Sequence, residues 1–316
     1  DQLWEPVFSP DGKNVLLKRG PKYSIIVDGE PWANDFLSMR EFAFDDQGNV
    51  AATVQMEALK EADVFTFMEG LWSLAVNGET WSQKFINIYS PIFSPDGKNV
   101  AAQVRVGRCE YSIAQNGTPW SETFSCVWEP VYHPENGSLI APVKVPGGWT
   151  LAQNGTLLWS GKYAQIWHPR FSPDTKRLAA ITSPAFGKWT IAVDDEPWDL
   201  LVSDLVLDPI FSPDGQRVAA VVKDNESWTI AVDSKVWPET FDMIWDPIFN
   251  ASGEVVMAKV ERDRKYTLAI DGRASGKWFD QLWEPVFSPD GKNVLLKVRE
   301  NDKYYRRIIS VDEIRK

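Results

Sequence analysis

The chain has only two cysteines and two histidines in 316 residues. That is too few for a disulfide framework or a Cys/His zinc cage, and it leaves no ligand set for haem or an iron–sulfur cluster. Cations are outnumbered, 33 Lys and Arg against 44 Asp and Glu, giving a formal net charge of −11. Nucleic acid and anionic membrane surfaces both demand clustered Lys and Arg, so neither is expected as a partner. No apolar run approaches the ~18 residues of a bilayer span, so no membrane insertion is expected either. Gly-x-Ser-x-Gly elbows, P-loops, His-Glu-x-x-His and Gly-x-Gly-x-x-Gly motifs are all missing. The expectation is therefore a protein without catalytic residues, metal or cofactor. No leader peptide is visible at Asp1-Gln2, and the first residue is not Met, which reads as trimmed ends. The expected location is cytoplasmic, or periplasmic if an export signal was removed.

What the chain does have is sixteen tryptophans and a repeat. Phe-Ser-Pro-Asp-Gly begins at Phe8, Phe93, Phe211 and Phe287, with degenerate copies at Phe44, Tyr132, Phe171 and Phe249. A period of about 40 residues fits propeller blades or helical repeats. Local chemistry separates the two. Ser-Pro-Asp-Gly suits a type I turn, with Pro fixing φ and Gly taking the left-handed site. A second turn, Asn-Gly or Asp-Gly, recurs at Asp28, Asn77, Asn116, Asn154 and Asp271; both central residues of a type I′ hairpin turn need positive φ. Between the turns lie short β-branched and aromatic runs, which read as strands. No segment sustains a 3.6-residue apolar period, and the best helix candidate is only Glu57 to Asp63. Each unit is thus four strands, A to D, in a meander, and the fold class is an all-β propeller of four-stranded antiparallel blades.

The tryptophans keep fixed places in this frame. Trp4, Trp128, Trp167, Trp245 and Trp283 start strand A; Trp72, Trp149, Trp189 and Trp228 start strand C. Trp32, Trp81, Trp120, Trp159, Trp198, Trp237 and Trp278 mark strand D. Recurrence at fixed positions reads as packing between neighbouring sheets rather than a ligand cage. The expected domain is a single propeller over 1–316. Its units fall at about 1–40, 41–88, 89–127, 128–166, 167–206, 207–244, 245–282 and 283–316.

The strand–SPDG–strand unit resembles the WD-repeat-like propellers of TolB-type proteins over essentially the whole chain. The regular second Trp, as in Trp189-Thr-Ile-Ala-Val-Asp-Asp-Glu-Pro-Trp198, resembles the tryptophan-rich propellers of the TmcD family. Those belong to the transmembrane electron-transfer complex of sulfate-reducing bacteria. The resemblance implies an accessory, non-catalytic subunit on the cytoplasmic side. Residues 1–18 are identical to residues 280–297, which points to recent duplication or deliberate construction. Eight blades is the direct reading. The alternative is seven blades with the identical termini competing for one slot. A monomer is expected, or an oligomer swapped through those termini.

Candidate binding residues lie between Trp and Pro of strand A: Glu5, Glu41, Ser90, Glu129, His168, Asp208, Asp246 and Glu284. Six of these eight are acidic. They would line one mouth of the propeller and attract cations or a basic protein partner; the alternative is a solvated rim, or carboxylates that accept backbone N–H groups of the next blade. A longer B–C connection in unit 2 places Phe65 and Phe67 among Met56, Glu57, Glu61, Asp63, Met68 and Glu69. It is either a recognition loop on the same face or a segment folded back on its blade. His133 and His168 read as turn or surface histidines. Cys109 and Cys126 read as reduced, buried thiols. The functional expectation is a protein-binding scaffold; an engineered or duplicated propeller without a selected ligand and a periplasmic TolB-like module are the alternatives.

Overall fold

Ser-Pro-Asp-Gly ends strands because its side chains replace the ladder with local bonds. In the computed structural model, Ser94 Oγ donates to Asp96 Oδ1 (2.6 Å) and accepts the Asn99 N–H (2.9 Å), while Gly97 takes φ +68°. The Ser–Asp bond recurs at Ser172–Asp174, Ser212–Asp214 and Ser288–Asp290. In each pair the serine hydroxyl is the main cause holding the aspartate below its ordinary pKa. In the degenerate fourth copy His133 takes over, its Nδ1 accepting the N–H groups of Glu135 and Asn136 at 3.2 and 3.3 Å. This is the turn role expected of that histidine.

The second turn is tied back to strand B. Asn77 and Gly78 sit at φ +50° and +87°, and Asn77 Oδ1 accepts the Val50 N–H (2.9 Å). Asn116, Asn154, Asp194, Asp233 and Asp271 make the same bond to the first residue of their own strand B.

The structure describes residues 2–8, 15–20, 22–58 and 64–315, without the side chains of 2–5, 15–20 and 64–66. Among these, the strands form eight antiparallel sheets in sequence order, spanning 2–31, 38–80, 87–119, 126–157, 165–197, 205–236, 243–274 and 281–310. Sheet 3 is representative: strand A Asn87–Phe93, B Val100–Gly107, C Glu110–Gln115 and D Thr118–Pro119, paired A-B-C-D. The fold is that of a β-propeller, built from four-stranded meander blades. Sheet 8 differs. Its strand A, in two pieces as in sheets 4, 6 and 7 (Gln281–Leu282 and Val286–Phe287), is followed by B (Asn293–Glu300) and C (Lys303–Ser310). A short helix α2 (Val311–Arg315) then follows instead of strand D.

The chain divides into two compact units, Asp1–Ser160 and Gly161–Lys316, with four sheets each. Within each unit consecutive sheets share apolar clusters. Ile25 of sheet 1 packs with Val50, Ala52 and Val54 of sheet 2; Leu74 of sheet 2 packs with Ile88, Val100 and Val104 of sheet 3. In the second unit Ile191 of sheet 5 packs with Val218 and Val222 of sheet 6, and Leu268 of sheet 7 with Val294 and Leu296 of sheet 8.

The strand D tryptophans join these layers. A methyl group placed on Gly117 would meet Trp81 Cβ at 3.2 Å, so the indole of sheet 2 sits directly on the turn glycine of sheet 3. Trp32 sits in the same way on Gly78, Trp120 on Gly155 and Trp237 on Gly272. Each of Trp32, Trp81 and Trp120 also meets the Phe four residues on, edge to face, at 6.3–6.4 Å. Packing between sheets is therefore right for these rings. It is wrong for Trp128 and Trp283, which are 44% and 41% exposed. They lie along their own sheets instead, Trp128 stacked on Trp149 (5.5 Å) and Trp283 tilted over Tyr304 (5.9 Å). The alternation of a strand turns a ring at that position along the sheet face, where its cross-strand neighbour is the nearest apolar surface.

The helix expected over Glu57 to Asp63 falls largely on residues 59–63, outside the described residues. The helix observed, α1, covers Val64–Glu69. Glycine seating gives a test. Gly29 has φ +89° and nothing within 4 Å of an added methyl, whereas Gly117 has φ +84° and an indole against it. Gly29→Ala should cost about 1–2 kcal/mol from the left-handed backbone alone, and Gly117→Ala about 1–3 kcal/mol more from overpacking. Urea midpoints that shift equally would refute the seat.

Candidate functional site

Proline has no N–H for a ladder, so a Trp-x-Pro strand A cannot run unbroken. The registers show the consequence. Pairing slips between Met39 and Phe42 in sheet 2 (where Phe42 replaces the Pro), around Ser90-Pro91 in sheet 3 and between Trp167 and Arg170 in sheet 5. In sheets 4, 6, 7 and 8 strand A is split into two pieces at this point. The residue x thus sits on a β-bulge, and Ser90 and His168 have φ of +47° and +49°. Bulges re-aim a side chain away from the pleat. In sheets 2 and 3 of the first unit and sheet 5 of the second they turn residue x toward residue x of the next sheet.

The contacts follow from that placement. In the first unit the Glu41 carboxylate accepts the Ser90 N–H at 2.5 Å, and Ser90 Oγ donates to Glu129 Oε1 at 3.3 Å. Glu41, Ser90 and Glu129 therefore form a chain across sheets 2, 3 and 4. In the second unit His168 Nδ1 and Asp208 Oδ1 lie 2.5 Å apart, and Arg170 donates to Asp208 Oδ2 at 2.8 Å. Burial pushes the Asp208 carboxyl up, but the His168 and Arg170 bonds outweigh it and leave its pKa below the ordinary value. Asp246 and Glu284 are exposed on the bulges of sheets 7 and 8. Glu284 contributes to the field around Lys259, whose ammonium lies 4.0 Å from the Trp245 ring centre. The side chain of Glu5 lies outside the described residues.

The unit 2 connection folds back in part. Phe67 is half-buried against the cluster of Leu71, Trp72 and Phe85, and Met56 packs against the cluster of Ile25 and Met39. Lys84 pairs with Glu57 at 2.5 Å, which ties the connection to its own sheet. Met68 stays exposed, and the side chain of Phe65 lies outside the described residues.

Both cysteines are free. Cys109 is exposed in the B–C turn of sheet 3, which corrects the expectation that it is buried. Cys126 does not belong to the third unit, where the expected boundary at 127 places it. It opens strand A of sheet 4, opposite Lys144, so the two thiols belong to different sheets. Burial raises the half-buried Cys126 thiol above its ordinary pKa.

Two features escape a motif reading. Arg170, beyond the proline, neutralises Asp208 and breaks the acidic character of the row at sheets 5 and 6. The residue after the strand C aromatic is a buried hydroxyl in sheets 1 to 7: Ser24, Ser73, Ser112, Thr150, Thr190, Thr229 and Thr267. It donates to carbonyls of the strand D segment, as Ser73 Oγ does to Trp81 O and Gln83 O, both at 3.1 Å. The recurring Ser or Thr after that aromatic was the available signal.

Because the Asp208 pKa is depressed on folding, its stabilisation is complete above about pH 4 and fades as the pH falls through the lower, folded-state value. The pair is partly exposed, so Asp208→Asn should cost no more than about 1 kcal/mol near neutrality. The gap from wild type should narrow as the pH falls below about 4 in denaturant titrations. A gap independent of pH would refute the ion pair.

No family model matches the chain, and no curated protein matches it. Among solved structures it is similar to a eukaryotic initiation factor, at 12% identity and TM-score 0.42, over 90% of this chain and 89% of that one. It is similar to the Dos1 propeller at 9% identity and TM-score 0.46, over 93% and 89%. A third similar structure is TolB from Acinetobacter baumannii, at 16% identity and TM-score 0.35, over 86% and 79%. The propeller assignment rests on the meander sheets themselves.

Proposed function

We propose that the chain is a non-enzymatic protein-binding scaffold whose strand A bulges receive a basic partner. The observation that carries this reading is the bulge at residue x, which leaves exposed carboxylates on rigid backbone in each unit, Glu41 and Glu129 in the first, Asp246 and Glu284 in the second. Glu41, Glu129, Asp246 and Glu284 are exposed, and the net charge of −11 favours a cationic surface. His168 and Asp208 are occupied with each other and with Arg170, and serve to position this row in sheets 5 and 6. Phe67 supports the connection beside it rather than reaching for a partner.

The finer role we propose is an accessory subunit of a respiratory electron-transfer complex, on the cytoplasmic side. The Trp-Thr-Ile-Ala-Val spacing supports it, and any part in electron transfer is then by association. A second reading has its own observation. The identity of residues 1–18 with 280–297 favours a propeller duplicated or built for its architecture, with no selected ligand.

A fluorescein-labelled deca-lysine peptide tests the first reading by anisotropy with the full chain. Glu129→Gln, Asp246→Asn and Glu284→Gln together should weaken binding at least tenfold, with unchanged melting temperature. Binding that ignores the triple variant would contradict it.

A further inference from the structure

Sheet 8 lacks what every other sheet has. In sheets 1 to 7 a two-residue strand D pairs with the outer edge of strand C. A backbone N–H just after it then donates to a strand C carbonyl, Trp32 to Ile25, Trp81 to Leu74 and Trp237 to Ile230, each at 2.8 Å. Three or four residues farther on, a second bridge closes the segment: Tyr23 with Phe36, Trp72 with Phe85, Trp189 with Val202. The buried hydroxyl anchors the carbonyls in between.

Pairing identifies the equivalent positions in sheet 8. Lys18 pairs with Ile25 in sheet 1, and Lys297, its counterpart in the identical segment, pairs with Arg306. Tyr304, Arg306 and Ile308 therefore present the backbone groups that strand D uses elsewhere. Among the described residues no strand pairs with that edge. Its side chains are exposed, Tyr304 by 72% and Ile308 by 75%. Ile25 is fully buried against sheet 2, while the side chain of the equivalent Arg306 is exposed and makes no hydrogen bond or ion pair among the described residues. Arg307 Nε, next along, is buried without a hydrogen-bond partner. A groove lined by Pro238, Glu239, Lys277, Arg306, Ile308 and Glu313 runs beside the edge.

The geometry points to this edge as a docking site for an extended acidic segment of another polypeptide, added in trans as the missing fourth strand. An unpaired strand edge is a template for a further strand, with backbone bonds supplying affinity and side chains supplying choice. Charge selects the occupant. Lys303 and Arg306 stand exposed at the edge, and the strand D segment of sheet 5, Asp194-Asp195-Glu196-Pro197-Trp198-Asp199, shows that this geometry accepts a strongly acidic strand. The site carries charge opposite to the carboxylate row and does not depend on it.

The probe is a fluorescein-labelled peptide of residues 194–204, titrated into the full chain and read by anisotropy. Saturable binding is expected, at least tenfold weaker for a scrambled peptide of the same composition and for the peptide with its Asp and Glu replaced by Asn and Gln. Arg306→Glu and, separately, Ile308→Pro should each weaken it at least tenfold. Arg306→Glu alone keeps the strand backbone and must retain the wild-type melting temperature and its affinity for deca-lysine. Equal binding of the scrambled peptide, or indifference to Arg306→Glu, would overturn the proposal. So would a sedimentation result in which the chain dimerises through this edge and excludes the peptide.

Discussion

The rest of the structure depends on one contact, an indole from the end of one sheet pressed onto the turn glycine of the next. A meander of four short strands buries only part of its apolar surface alone. The strand D tryptophan extends that burial across a layer, and the type I′ turn offers the one place where a side chain would otherwise stand in its way. Where the indole meets a glycine, at Gly78, Gly117, Gly155 and Gly272, that residue serves twice, for positive φ and for the missing methyl; in sheets 5 and 6 Asp195 and Ser234 hold the same position at φ +71°. The alanine pairs of strand B, Ala51-Ala52, Ala101-Ala102, Ala179-Ala180 and Ala219-Ala220, are fully buried and keep the layers close. Arg177 and Arg217 add a polar stitch to the same seam. Each binds its own turn aspartate and donates to a carbonyl of the following sheet, Gln216 O at 2.7 Å and Glu254 O at 3.0 Å.

The same economy of layers shapes the candidate surface. Proline in strand A breaks the ladder, the break makes a bulge, and the bulge turns residue x out of its own sheet. What the residue does there depends on its neighbour. Glutamate meets a serine N–H in sheets 2 and 3, and aspartate meets histidine and arginine in sheets 5 and 6. In sheets 7 and 8 the carboxylates stay exposed. A repeated position thus has several local solutions, and only some of them leave charge for a partner.

The fold was legible because its determinants are local. Ser-Pro-Asp-Gly and Asn-Gly name their turns through φ and side-chain acceptors, and four strands per unit follow from counting what lies between. The strand D tryptophans were legible for the same reason, since recurrence implies a repeated seat. The exposure of Trp128 and Trp283 was not, because one-dimensional recurrence does not say which side of a strand a ring meets. The bulge was written in the Trp-x-Pro signature, but its outcome was not. Whether Glu41 faces solvent or the Ser90 amide depends on a residue 49 positions away, and Arg170 reaches Asp208 from the previous sheet. The placement of Cys126 failed at an element boundary, where the chain leaves one sheet and opens the next.

Amide hydrogen exchange on a Trp81→Ala variant tests the central contact most directly. If the indole joins two sheets, protection should fall at the Trp81 amide bonded to Leu74 O in sheet 2 and also at the Asn116 amide bonded to Val100 O in sheet 3. Loss of protection confined to sheet 2, with the sheet 3 turn exchanging as in the wild type, would contradict the account.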